Sequence, residues 1–149
     1  MIAVTLMLAA TAVPPIEQAA IFKAAGATRR GTMWMMCAEE PRAEGASIEL
    51  YRDLNGDDRP EAIVSESGTF CYGAAEAGYA VLSRQPDGSW RKLTSGPGIA
   101  EPLKTKGAGG YPDLSIGGPG FCFPVVRWNG QAYVNQRFEY DGKPCRSGR

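Results

Sequence analysis

Histidine is missing from the 149 residues of this chain. Its absence excludes Ser-His-Asp and Cys-His catalysis, histidine-ligated metal sites and histidine-based pH switching. An excess of charge of either sign is also lacking, because 16 basic residues balance 16 acidic ones. The chain therefore carries no global basic field of the kind that attracts nucleic acid.

Long hydrophobic runs are scarce as well. The apolar segment 2–10 is too short for a membrane-spanning helix. It is followed by Ala10-Thr11-Ala12, which has the small-x-small form of a signal-peptide cleavage site. We therefore predict that residues 1–12 are a signal peptide, although no Lys or Arg precedes the apolar segment. A buried N-terminal strand or helix is the alternative.

Cysteine is present at only four positions: Cys37, Cys71, Cys122 and Cys145. There is no Cys-x-x-Cys pair, so a zinc ribbon or a thioredoxin-type site is not supported. An even number of cysteines in an exported small domain predicts two disulfides. The cysteines thus agree with export to the periplasm or the medium.

The abundant residues are turn formers, with 19 glycines and 11 prolines, which favours short strands over a helical bundle. The length fits one domain. Residues 13–46 are predicted to form an N-terminal helix at 16–25 and a connector, with a buried strand at 33–36. From residue 47 onward the pattern is typical of β-structure.

Alternation and turn signals predict a series of short strands after residue 47. The segment 96–106 between them is read as a connection with room for one helical turn. The predicted strands are 47–52, 60–65, 79–85, 90–93, 113–116, 122–128 and 132–140.

Two stretches of the β region resemble each other. Each has Pro, an acid (Glu61 or Asp113), a short apolar strand, glycine and then Phe-Cys-aromatic. This similarity predicts a duplicated β domain over 47–149, with units at about 47–95 and 106–145. The expected fold is mainly β: two related antiparallel units, propeller-blade-like or a small sandwich, after a short helix. A full propeller needs at least four blades, and the chain has room for about two.

Four cysteines allow three pairings. The duplication favours Cys71–Cys122, because these cysteines occupy equivalent places in the two units, with Cys37–Cys145 closing the ends. The second choice is Cys37–Cys71 with Cys122–Cys145, one bridge associated with each unit.

The segment 53–61 carries the most specific chemistry. Oxygen-bearing side chains stand at its positions 1, 3 and 5 (Asp53, Asn55 and Asp57), and Glu61 stands at position 9. Alternate oxygen ligands in a tight loop suit a hard cation such as Ca²⁺. The alternative is a metal-free turn held by Asp and Asn side chains.

The loop and its following strand resemble the FG-GAP repeat of integrin-type propellers and exported bacterial proteins. The resemblance implies Ca²⁺ ligands from the side chains of Asp53, Asn55, Asp57 and Glu61 and from the backbone carbonyl of Arg59. Two positions depart from the repeat: Asp58 replaces a glycine, and Glu61 replaces an aspartate. Asp58 must then adopt a positive φ that favours glycine.

These features predict an exported, non-catalytic, calcium-stabilised β module that binds a protein or an envelope polysaccharide, with no nucleic-acid partner. A small periplasmic inhibitor or immunity-type protein, using the loop 107–110, is the alternative. A hydrolase using Glu61 and Asp113 as paired carboxylates is a third possibility. Several aromatic residues are candidates for stacking on sugars or filling a partner's groove, although such residues more often cover a sheet. They are Trp90, Trp128, Tyr133 and Tyr140.

Overall fold

The computed structural model describes residues 13–147. The predicted signal peptide, residues 1–12, lies outside the described part of the chain and stays a prediction. Helix α1 spans Pro15–Ala24 and buries Ile21 and Phe22. Proline is tolerated at its start because the first turn of a helix leaves its N–H groups without helical partners. The predicted N-terminal helix is therefore confirmed.

A two-stranded hairpin follows the helix. Strands β1 (Thr28–Arg30) and β2 (Met33–Met35) pair antiparallel. The strand expected at 33–36 is confirmed by β2, although only Met35 of its three residues is fully buried. The residues of β1 were expected to be part of a connector, and they form a strand because Thr28 pairs with Met35 and Arg30 with Met33.

Four strands form the first sheet, an antiparallel meander in the order β3-β4-β5-β6. The strands are β3 (Ser47–Arg52), β4 (Glu61–Ser67), β5 (Ala77–Arg84) and β6 (Trp90–Pro97).

Five strands form the second sheet, in the spatial order β11-β10-β9-β8-β7. The strands are β7 (Ile99–Lys106), β8 (Pro112–Gly117), β9 (Phe123–Trp128), β10 (Tyr133–Tyr140) and β11 (Lys143–Pro144). The expectation of a connection with a helical turn at 96–106 is wrong, since β7 occupies most of it. Pro102 is compatible with this strand because β7 lies at a sheet edge, where one side needs no ladder hydrogen bonds.

The chain passes from the first sheet to the second through Gly98, which has φ +115°. A Cβ atom at this position would lie 2.6 Å from the carbonyl oxygen of Gly117. Only glycine fits both the backbone conformation and the close approach.

The first sheet is covered on both faces. On one face, Ala62, Val64 and Leu82 form a core with helix α1. The helix contributes Ile21 and Phe22 to this core. The side chains that alternate with them face the second sheet, where Ile63, Tyr79 and Val81 form a second core with Leu114. A strand buried on both faces is expected to be continuously apolar, as β4 is from residue 62 to 64.

The two sheets have matching local order, since each begins with a four-stranded antiparallel meander. Glu61 opens β4, Asp113 is the second residue of β8, and both are 0% exposed. Cys71 and Cys122 each follow the second strand of their meander. These positions agree with the predicted duplication, which itself stays a prediction. The mainly β fold with one short α-helix is confirmed.

The disulfides join Cys37 to Cys71 and Cys122 to Cys145, with Cα–Cα distances of 6.0 and 5.8 Å. The favoured pairing, Cys71–Cys122 with Cys37–Cys145, is therefore wrong, and the second choice is correct. Local hydrogen bonds give the reason.

The backbone N–H of Cys37 donates to the Glu66 carboxylate of β4 at 2.7 Å, which brings Cys37 beside the loop that holds Cys71. The backbone N–H of Cys145 donates to the carbonyl of Phe138 at 3.1 Å, beside the start of β9. Each cysteine thus meets a partner held against its own sheet.

Candidate metal centre

The acidic loop, residues 53–60, connects β3 to β4. The Asp53 carboxylate accepts backbone N–H donors from Asn55 at 3.1 Å, Gly56 at 2.8 Å and Asp58 at 2.9 Å. Desolvation opposes ionisation of Asp53, but the backbone donors together outweigh it and lower the pKa of its carboxyl. Asp53 therefore organises the loop as a carboxylate.

Asp57 is the second acid of the loop. Its Oδ1 accepts the backbone N–H of Arg59 at 2.8 Å, and its Oδ2 lies 2.9 Å from the Arg59 guanidinium. The Asn55 side chain contacts Asp57 twice: its amide donates to Oδ2 at 3.3 Å, and its Oδ1 accepts the Asp57 N–H at 3.3 Å. Asn55 and Arg59 thus act here as partners of Asp57.

Glu61 is the buried acid beneath the loop, at 0% exposure. Its Oε1 accepts the Leu54 N–H at 2.8 Å, and its Oε2 accepts the Ser83 hydroxyl at 2.7 Å. Burial raises the pKa of Glu61, the two donors offset part of the rise, and the charges of Asp57 and Asp53 add to it.

The three carboxylates converge. One ligand oxygen each from Asp53, Asp57 and Glu61 lie within 4.8 Å of one another. Oxygens bound to one Ca²⁺ at about 2.3–2.6 Å can be at most about 5 Å apart, so this spacing fits a single ion. The donor set is all oxygen and negatively charged, which also suits a hard divalent cation.

The loop geometry explains one departure from the FG-GAP pattern. Asp58 has φ +64°, in the left-handed region that favours glycine. Aspartate is among the residues that tolerate this region best. The expectation that Asp58 makes a positive-φ turn is therefore confirmed.

Replacing Asp58 tests this backbone requirement. Asp58→Gly and Asp58→Ala remove the same carboxylate, but only alanine retains a Cβ atom in the left-handed region. We expect the glycine variant to be more stable than the alanine variant by about 1 kcal/mol in urea unfolding. Asp87 is an exposed turn residue whose φ is not positive, so there the alanine variant should be more stable than the glycine variant. Equal stability of the two Asp58 variants would show that a Cβ atom causes no backbone strain at residue 58.

The second sheet contributes to the same region. Lys106 Nζ donates to the Leu54 carbonyl at 3.2 Å and to the Gly110 carbonyl at 3.4 Å. A Cβ atom on Gly110 would lie 2.8 Å from the Asn55 carbonyl oxygen, so the glycine loop, residues 107–110, packs directly on the acidic loop. This contact was not predicted, although the glycine run was its visible signal.

A hydrogen-bonded chain links Glu61 to the same sheet. The Ser83 hydroxyl that donates to Glu61 also lies 2.8 Å from the Tyr111 hydroxyl. The Tyr111 ring packs against Trp128 with a centroid distance of 5.7 Å. The acidic loop is therefore part of the contact between the sheets.

Asp113, the acid matched to Glu61 by the repeat, has cationic partners from its own sheet. Arg127 donates to it twice at 2.9 Å, Arg137 at 3.0 Å and Thr105 at 2.6 Å. Burial alone would raise the pKa of Asp113, but the donors from Arg127, Thr105 and Arg137 outweigh it and lower the pKa to about 2. Glu61 and Asp113 are each engaged with separate partners.

Asp113→Asn should cost about 2 kcal/mol of unfolding free energy at pH 7. The folded pKa of about 2 lies below the ordinary 3.8. The stabilisation is thus fully present above the ordinary pKa and is lost as the pH falls through the folded pKa. In urea unfolding, the difference in unfolding free energy between the native chain and Asp113→Asn should be constant above pH ~4 and should decrease toward pH ~2.

Glu139→Gln is the matched control, because Glu139 also pairs with Arg137 but lies nearer to solvent. We expect it to cost under about 1 kcal/mol. The role of Asp113 would be contradicted if Asp113→Asn were as stable as the native chain. It would also be contradicted if the difference in unfolding free energy did not change with pH.

The other candidates from the sequence have structural partners. Cys37 and Cys71 lie near Glu39, but their sulfurs form a disulfide and so offer no thiolate ligand. Trp90 donates to Glu17 at 2.7 Å, and Trp128 is only 5% exposed. Tyr133 donates to the Pro112 carbonyl at 2.8 Å. These three aromatic residues therefore support the fold.

Tyr140 differs, since it is 42% exposed and lies beside Phe121, which is 77% exposed. Phe121 was not singled out from the sequence. Its signal was the Phe-Cys-aromatic triplet, which was used only as evidence for the duplication.

Comparison with known families, with curated proteins and with solved structures finds no match to this chain. The FG-GAP resemblance therefore stays a prediction. Within residues 13–147, no helix has the length and apolar character needed to cross a bilayer. The two disulfides are typical of proteins outside the reducing cytoplasm.

Proposed function

We propose that this chain is an exported, non-catalytic β module that is stabilised by Ca²⁺ and binds a protein or an envelope polysaccharide. The observation that carries the calcium proposal is the convergence of Asp53, Asp57 and Glu61 within 4.8 Å. Three carboxylates repel one another at this spacing, and a divalent cation would relieve the repulsion. The FG-GAP resemblance of the same residues supports the choice of Ca²⁺.

Calcium would act as a structural ion in this proposal. The acidic loop is held on one side by β3 and β4 and on the other by Lys106 and the glycine loop. An ion bound by Asp53, Asp57 and Glu61 would connect the acidic loop to the buried start of β4 in the first sheet. It would thereby also fix the surface against which the second sheet packs.

Export to the periplasm or the medium is supported by two disulfides and by the apolar segment 2–10 with its cleavage pattern. The non-catalytic part rests on the absence of histidine and on the engagement of the buried acids. Glu61 is bound by Leu54 and Ser83, and Asp113 is bound by two arginines. A paired-carboxylate hydrolase finds no support in these contacts.

The inhibitor alternative depended on residues 107–110 as an inserting loop. Gly110 instead packs against Asn55, so this loop already has a partner within the chain. We therefore prefer the binding module.

Calorimetric titration with Ca²⁺ tests the metal site. We expect binding heat and a higher melting temperature, with stabilisation of about 2.7 kcal/mol at a hundredfold excess over the dissociation constant. Asp57→Asn should lower the affinity, because it removes one converging carboxylate. Asp87→Asn removes an acid that also accepts a neighbouring backbone N–H, at an exposed turn, and should bind as the native chain does. A native chain that shows neither heat nor a melting shift would exclude the calcium site.

The partner class is tested by two parallel assays on the native chain: retention on immobilised envelope polysaccharide, and protein capture from an envelope extract. Retention on glycan, or capture of a non-enzymatic protein, supports the module. A single enzyme recovered in a one-to-one ratio and inhibited by the chain would support the alternative instead.

A further inference from the structure

The outer face of the second sheet carries a cleft. Leu114 and Val126 point toward the first sheet, so Ser115 and Phe123, which alternate with them, lie on the opposite face. A cleft of about 500 Å³ opens on this face where β10 turns into β11. It is lined by Glu101, Leu103, Ser115, Phe123, Glu139 and the turn 140–142.

The charges of the cleft are of one sign. Glu101, Glu139 and Asp141 contribute three carboxylates, and no lysine or arginine is among the lining residues. Glu139 already forms an ion pair with Arg137, which does not line the cleft. Within the described part of the chain, Glu101 and Asp141 take part in no ion pair. The cleft therefore favours a cationic occupant.

Tyr140 and Phe123 are the aromatic residues that line the cleft, and Phe121 packs against Tyr140 from outside the lining. The ring of Tyr140 meets Phe121 at 83° and Phe123 at 66°, with centroid distances of 5.5 and 5.8 Å. The negative faces of aromatic rings attract ammonium and guanidinium groups.

The site is also held rigidly. The Cys122–Cys145 disulfide joins the residue between Phe121 and Phe123 to the segment that follows β11. β10 and β11 pair through Tyr140 and Lys143, on either side of the turn that bears Asp141. A preformed site loses little conformational entropy when a ligand binds.

We propose that this cleft binds a lysine or arginine side chain presented by a protein partner. The proposal rests on the binding function above, of which it specifies the partner. Arginine and aromatic side chains commonly carry the binding energy of protein interfaces. An exposed Phe121 beside an acidic cleft provides both kinds of contact at one place.

The test is an NMR titration of the native chain with acetylated, amidated tetralysine and tetra-arginine peptides, with tetraserine as the uncharged comparison. We expect the amide signals of Phe123, Glu139 and Asp141 to shift with the cationic peptides alone. The affinity should fall as salt rises. Glu101→Gln combined with Asp141→Asn should weaken binding roughly tenfold, as expected for the loss of two exposed ion pairs.

Glu44→Gln combined with Glu76→Gln is the matched control, since it removes the same charge from exposed positions outside the cleft. It should change the affinity less than about twofold. Tyr140→Leu keeps an apolar side chain but removes the ring, and it should also weaken binding.

The proposal is overturned if the cationic peptides shift nothing, if the shifts lie elsewhere, or if the two double variants weaken binding equally. Shifts at the cleft with a soluble envelope polysaccharide but not with the peptides would overturn this proposal and leave the module function intact. Absence of any protein or glycan partner in the capture assays would instead count against the proposed function. Peptide binding does not require Ca²⁺, so a failed calcium titration leaves the test interpretable.

Discussion

Burial of the first sheet on both faces is the constraint on which the rest of the structure depends. Ala62 and Val64 pack toward α1, and Ile63 packs toward the second sheet. Each buried methylene contributes about 0.8 kcal/mol, so consecutive apolar residues in β4 stabilise two interfaces at once. The helix, the hairpin and the second sheet have their places because this one sheet needs cover on either side.

The two buried acids show two ways of holding a charge in such a structure. Asp113 is neutralised by arginines of its own sheet, and its carboxyl pKa is about 2. Glu61 has only neutral donors and two further acids nearby, so its pKa is raised. A buried carboxylate without a cationic partner is costly. This difference between Glu61 and Asp113 is the reason why we propose a cation site beside Glu61 and none beside Asp113.

Local signals in the sequence predicted local structure well. The helix, most strands and the positive φ of Asp58 follow from propensity, alternation and turn chemistry. The errors concern partners that lie far apart in the chain. Strand β7 was missed because it contains Pro102, which is compatible with a strand only at a sheet edge. The cysteine pairing was missed because it depends on which sheet each cysteine-bearing loop packs against. In the site, the converging acids were predicted from spacing. The contacts of Lys106 and Gly110 with the acidic loop required knowledge of how the two sheets meet.

Gly98 joins β6 to β7 with no intervening loop, so the two sheets follow each other directly along the chain. The core between them is nevertheless long-range, since it brings together residues as distant in sequence as Leu50 and Tyr133. The helix layer is also closed over a long range, because the contact of Glu17 with Trp90 spans 73 residues. Closing such long loops costs chain entropy before any contact is gained, so both interfaces of the first sheet should make folding slow.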